Sequence, residues 1–446
     1  MYMRTFTELN YLRGGGKMRK LTKNLAIPFL VGSMLFSFAG CQSSSTSSSD
    51  TSKKVTLTFW NIATTDPGKT AVNNVVKEWN TKNPNVQIKT SVTENNAYKT
   101  KIKAAIAGGD APDIMYSWAG GFTKPFVDSG KILSLDSYLN DGTKDKMLPG
   151  ALTNVTYNSK VYGLTYNQQA GALYVNKDMF DSNGIKIPTT FDELLTAVKA
   201  FRSKGITPMA VGEKDEWPGM WYFDMIALRM AGSQLSLDAL NKKSSFDNPA
   251  FVIAAEKLQE LVKSQAFDPS ALSITRDDST VQLTQGKIPM YFGGNFDAGT
   301  IDASPMKGKI IAVKFPSITG GSTENTDYLG GGADCLLVNA DTKDKPDAVK
   351  AAKFLAQNLS SQFYLSGAGL PEWKYNDVDQ SKIDPLSKQI MSDIVTGSKA
   401  SVPAWDLYLE GADAQNHQDL VAKIFGGQIT PAEFAKQMQT QVGANK

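Results

Sequence analysis

The chain has 446 residues, 41% hydrophobic and 20% charged, which fits a globular protein large enough for two cores. Its formal charge of +3 misleads: residues 1–40 hold six of the 47 basic and one of the 44 acidic groups, leaving 41 against 43. No basic block interleaved with aromatics remains, which excludes a nucleic-acid partner, and one histidine with two cysteines leaves the usual zinc sites and histidine triads without donors. We therefore expect no metal and no cofactor.

From Met18, "MRKLTKNLAIPFLVGSMLFSFAGC" has a basic head and about fifteen uncharged residues, too short to span a bilayer comfortably and typical of a secretory signal. "RGGGK" before it reads like a translated ribosome-binding site, so Met18 is the expected true start and residues 1–40 are leader plus signal. "FAGC" resembles a bacterial lipobox, with Phe38 where leucine is usual, and makes Cys41 the expected lipidation site. The Ser-rich run that follows, to residue 54, is a flexible tether. The protein is thus expected outside the cell, lipid-anchored to the outer face of the membrane, or in the periplasm where the host has an outer membrane.

Past the tether, strand-like and helical segments alternate. "VTLTFW" is followed by the loop "ATTDPGKT" and a helix with Val72, Val75, Val76 and Trp79 on one side. Then come "VQIKTSV", a helix over 97–107, "DIMYSW", a short helix after Thr123, and "VYGLTYN" before "GALYVNKDMF". This alternation implies an α/β fold of mostly parallel sheets covered by helices on both faces. A helix-rich middle gives way to strands at "KIPMYFGG", "KIIAVKFP" and "CLLVNA", and the last hundred residues read as helical, with Thr430 capping "PAEFAKQM". His417 falls in a polar helical stretch and is expected on the surface; Cys335 opens an apolar strand and is expected to be a buried thiol.

Residues 63–70 match a relaxed nucleotide-binding pattern, but Asp66 puts negative charge where phosphate oxygens would sit and Pro67 removes a backbone donor. A first loop at the carboxyl end of a strand suits a different ligand, with Asp66 accepting and Lys69 donating hydrogen bonds. Equally, Asp66 can serve only to cap the helix.

"AGGDAPDIMYSWAGGFTKPFVDSGKILSLDSYL", "VYGLTYNQQAGALYVNKDMFDSNGIKIPTTFDELLTAVKAF", "QGKIPMYFGGNF" and "YLGGGADCLLVN" occur in an order that resembles the extracellular solute-binding proteins of ABC importers, the sugar- and oligosaccharide-binding group. The resemblance implies a two-lobe, periplasmic-binding-protein-like (type II) α/β fold with a hinge and an interlobe cleft. It implies lobes of 55–168 with 295–330 and 169–294 with 331–446, crossing near 168–173, 293–295 and 330–334, where glycines suit a hinge. It further implies a sugar ligand, ABC permease partners and a monomer.

A saccharide offers C–H faces and rims of hydroxyls, so aromatic planes and carboxylates, amides or lysines are the residues to seek. Trp118, Trp217, Trp221, Trp373 and Trp405 stand near family landmarks, whereas Trp60 and Trp79 read as core. The polar candidates, beside Asp66 and Lys69, are Asn167, Gln168 and Gln169 after "VYGLTY", Asn295 and Asp297 after "GG", and Asp334 in "GGGAD"; Phe296 stands where the family pattern has a tryptophan. Asp113 reads as structural. The same inventory suits a secreted glycoside hydrolase, which needs two carboxyls about 5–5.5 or 6.5–9.5 Å apart across one bond, or a receptor for a non-sugar solute.

Overall fold

The computed structural model describes residues 54–443 apart from 324 and 325; the signal, Cys41 and all but the last residue of the tether lie outside them. β1 (Val55–Asn61) buries Val55, Leu57, Phe59 and Asn61, every second residue. It pairs in parallel with β2 (Val86–Val92) and β3 (Ile114–Trp118). α1 (Gly68–Lys82) packs Ala71, Val72, Val75, Val76 and Trp79 inward at helical spacing, and the Trp79 indole donates to the Val86 carbonyl at 2.8 Å. α2 (Asn95–Gly108) opens on the Glu94 carboxylate, which accepts from the Asn96 and Ala97 amides, and closes on left-handed Gly109. Asp113 accepts from Thr58 and Thr342 and so ties three segments together, the structural role its turn suggests.

The sequence suggested a break between "VYGLTYN" and "GALYVN", but these form one strand, β4 (Gly163–Asn176), whose 14 residues are all buried. Four later strands are β5 (Met209–Ala210), β6 (Met290–Gly294), β7 (Ile310–Val313) and β8 (Tyr328–Val338); β9 (Leu370–Pro371) and β10 (Ser401–Val402) are short additions. The order is β2-β1-β3-β8-β4-β6-β5, with β7 and β9 also on β4 and β10 on β8. β4 meets β8 over its first half and β6 and β7 over its second, so a single strand runs through both halves of the sheet. β8 is antiparallel to β3 and β4, and β4 to β6, so the sheet is mixed, not mostly parallel.

Pairing also corrects the expected lobe allocation. Ile310–Val313 pairs with the second half of β4, and Asp334–Val338 pairs with β3 in the first half, the reverse of what was expected for 295–330 and the start of 331–446. At the passage between the halves Gly330 and Gly331 have φ of 148° and 116°, and a Cβ on Gly330 would collide with the Gln169 carbonyl.

Helices cover the sheet. α3 (Phe191–Ser203) starts on a Thr190–Glu193 capping box; α4 (Trp217–Leu240) packs against α5 (Pro249–Lys263). α6 (Arg276–Thr284) follows a second capping box, and α7 (Lys345–Ser366) lies on α1 and β4. α8 (Ala412–Phe425) and α9 (Pro431–Met438) complete the cluster around α4, α9 beginning at the expected Thr430 cap with Glu433 as its reciprocal partner. Cys335 is buried. His417 is buried too, contrary to expectation: its α8 face is covered by α4 and α9, and Asp224 supplies the partner that makes burying an imidazole affordable.

Candidate functional site

The loop after β1, the start of α2, the end of β3, Tyr166, Asn167 and Gln169 within β4, and residues 214–221, 275–277 and 296–300 enclose a cavity of about 510 Å³. It lies at the carboxyl ends of β1 and β3, the edge of an α/β sheet where ligands collect, and its size suits a small organic molecule.

One wall is polar. The Asp334 carboxylate accepts from the Tyr116 hydroxyl at 2.9 Å and from Asn167 Nδ2 at 2.6 Å, while Asn167 Oδ1 accepts from the Leu370 amide. Burial pushes the Asp334 carboxyl up to about 6, against the pull of these hydrogen bonds. Nearby, Tyr116 and Trp118 meet edge to face at 4.8 Å, and the Lys99 ammonium lies 5.2 Å from the Trp118 ring centre and 3.4 Å from Asp406. Asn61 Nδ2 is a buried donor with no protein partner on the same wall.

The opposite wall is aromatic. Trp217, Trp221 and Phe296 pack edge on with centroids 5.8–6.2 Å apart; Trp221 is buried, and Trp217 is partly exposed. The Arg276 guanidinium lies 5.2 Å from the Phe296 ring centre and is ion-paired with Asp297. Asp215 accepts from the Arg276 amide at 2.7 Å, and its other oxygen is 3.5 Å from Asn96 Nδ2 across the cavity. Desolvation raises its pKa above the usual range.

The structure therefore gathers Asp66, Trp118, Asn167, Trp217, Trp221 and Asp334 around one space. Asp66 is at its edge, with Oδ1 taken by the amide and hydroxyl of Thr70, the capping role, and the Thr70 hydroxyl holds its pKa low. The other candidates sit elsewhere. Lys69 is exposed on α1, outside the cavity lining. Gln168 points to the other face of β4, where its amide donates to the Pro371 carbonyl, as strand alternation requires when Asn167 faces the cavity. Asn295 is spent on the backbone of β4, accepting from Ala170 and donating to Gln168, and Asp297 stands behind Arg276. Trp373 is a core residue whose indole donates to the Thr165 carbonyl at 2.8 Å, and Trp405 is fully buried against Phe223, Phe246 and Phe251.

Tyr116, Asn96, Lys99, Asp215 and Arg276 escaped the sequence reading. Tyr116 carried a signal, since it is two residues before Trp118 on one strand and must share its face. Arg276 carried none: only the packing of α6 against 213–215 brings it in. Among the described residues no group of three or more His, Cys, Asp or Glu could hold a metal.

The model of the bacterial extracellular solute-binding proteins matches residues 62–358. A solved structure from work on xylan utilization by the thermophilic bacterium Caldanaerobius polysaccharolyticus is 59% identical, covering 87% of this chain and 100% of its own, with a TM-score of 0.86. A chitin oligosaccharide binding protein is 24% identical over 88% of this chain and 100% of its own, at a TM-score of 0.79. The multiple sugar-binding protein of Streptococcus mutans serotype c is 24% identical over 397 residues, 84% of this chain and 88% of its own. The fold is the two-lobe α/β architecture of these structures, and the chain belongs to the bacterial extracellular solute-binding protein family.

Proposed function

We propose that this protein captures an oligosaccharide in the 510 Å³ cavity and delivers it to the permease of an ABC importer. The observation that carries the reading is one cavity that brings together the aromatic wall at Trp217 and an acceptor at Asp334 held by Tyr116 and Asn167, with Trp118 beside it. Rings cover the C–H faces of a sugar, and a carboxylate fixed by two donors meets its hydroxyls with little reorganisation. Relatives named for multiple sugars and for chitin oligosaccharides, and the neighbour from xylan work, support this ligand class.

Residues 55–169 with 331–366 form the first lobe in this reading, and residues 171–323 with 385–443 the second, joined through β4 and β8. Ligand contacts from both lobes favour the closed state, so closure follows from differential affinity and no bond is broken. Relatives named as binding proteins support binding over hydrolysis. Cys41 tethers the mature protein to the membrane by a lipid, and it works as a monomer.

A melting-temperature screen against linear oligosaccharides tests this. At least one should raise the midpoint by several degrees, following about 2.7 kcal/mol at a hundredfold excess over Kd. No rise with any sugar, beside a rise with an amino acid or peptide, would contradict it.

A further inference from the structure

Outside the cavity, the only histidine of the chain sits in a cluster that the binding reading leaves unused. His417 Nε2 is 2.8 Å from Asp224 Oδ1, and both side chains have no exposure. The other Asp224 oxygen accepts from the Trp405 backbone amide at 2.9 Å. The imidazole stacks on the Trp405 ring at 4.9 Å and 27°, and its Nδ1 is 3.3 Å from the Met438 sulfur. The next residue of α8, Gln418, donates to Asp406 Oδ2 at 3.0 Å. Asp406 and Leu407 line the cavity, and Asp406 also holds Lys99, which lies against Trp118.

Two consecutive α8 residues thus grip two consecutive residues, Trp405 behind the cavity and Asp406 in its wall. His417 acts on Trp405 through Asp224, and Gln418 acts directly on Asp406. Asp224 is on α4, the helix that begins with Trp217 and carries Trp221, so the same carboxylate joins the 405–407 segment to the aromatic wall. We propose that His417, with Asp224, is a positioning residue of the ligand cavity, setting where Asp406 and Lys99 stand relative to Trp217 and Trp221. The proposal rests on the cavity being the ligand site. Other groups facing the imidazole are the rings of Phe223 and Trp405 and the thioether of Met438, and the charge of Asp406 reaches Asp224. Of these groups, Asp224 alone offers the imidazole a charge-assisted hydrogen bond.

With a single histidine, one set of imidazole NMR resonances reports on the pair without assignment. The mature protein is titrated with the oligosaccharide that binds in calorimetry, and the same signal is read in ligand-free Lys99→Met. Saturation should move the imidazole resonance although His417 does not touch the cavity, and Lys99→Met should move it without ligand. His417→Gln, which keeps a donor toward Asp224, should hold affinity near wild type, while His417→Leu should weaken it about tenfold, chiefly through faster release. Binding that leaves the resonance in place, with His417→Leu as tight as wild type, overturns the proposal and leaves the cavity reading intact. If no sugar binds, that reading fails, and the ligand-free arm decides: a resonance unmoved by Lys99→Met overturns the proposal, and a shifted one supports it.

Discussion

Two aromatic clusters sit within this molecule, one at the cavity and one behind it, and they differ in what their rings leave uncovered. Around Trp405, the rings of Phe223, Phe246 and Phe251 and the His417 imidazole close every approach, and Trp405 has no exposure. Around Trp217, the rings that approach among the described residues are Trp221 and Phe296, both edge on, and the Trp217 side chain stays partly exposed. The first arrangement spends its apolar surface on stability. The second leaves Trp217 partly exposed at the cavity, which suits the proposed stacking on a sugar.

The contrast makes the expected effects separable. Trp373→Ala, in the core, should cost about 3–5 kcal/mol of stability by denaturant unfolding, from lost contacts and the cavity left behind. Its readout is the midpoint of unfolding. Trp217→Ala should do the opposite: affinity weaker by about 2 kcal/mol, roughly thirtyfold, with little change in unfolding of the free protein. If Trp217→Ala unfolds the protein as Trp373→Ala does, the distinction between the clusters is wrong.

Asp334→Asn sharpens the polar wall. An amide cannot accept from both Tyr116 and Asn167 as the carboxylate does, so affinity should fall by about 1–2 kcal/mol in calorimetry. The pH dependence has a definite sign. Burial raises this carboxyl from an ordinary 3.8 to about 6, so the folded state holds its proton longer, and the resulting stability is present at acid pH and lost as pH rises through 6. Asp224 and Asp384, each also near 6 through burial, act in the same direction. The melting temperature of the free protein should therefore decline from about pH 4 through about pH 6, and Asp334→Asn should flatten the decline. Lys69→Ala, on an exposed helix position, should change neither affinity nor stability by more than about 0.5 kcal/mol.

Local pattern made much of this legible. The alternation of Val55, Leu57 and Phe59, the spacing from Val72 to Trp79, and the Thr430 cap depend on neighbours in sequence, and each stands as read. Asp334 and Asn167 lie 167 residues apart yet both flank glycine-rich or strand-end signals, so they could be nominated singly, though not as a hydrogen-bonded pair. Proximity to a motif failed for Trp373 and Trp405 because a ring's surroundings are set by the phase of its element. Gln168 against Asn167 is the plainest case, one residue apart on opposite faces of β4. His417 was misread because its polar neighbours on α8 gave no hint of Asp224, which is 193 positions away.

The most direct test of the central claim, that both walls grip one oligosaccharide, is calorimetric titration of wild type, Trp217→Ala and Asp334→Asn with the sugar that most raises the melting temperature. The account expects one site per chain in wild type and weaker binding in both variants, most in Trp217→Ala. Wild-type affinity in both variants would place the ligand elsewhere and contradict it.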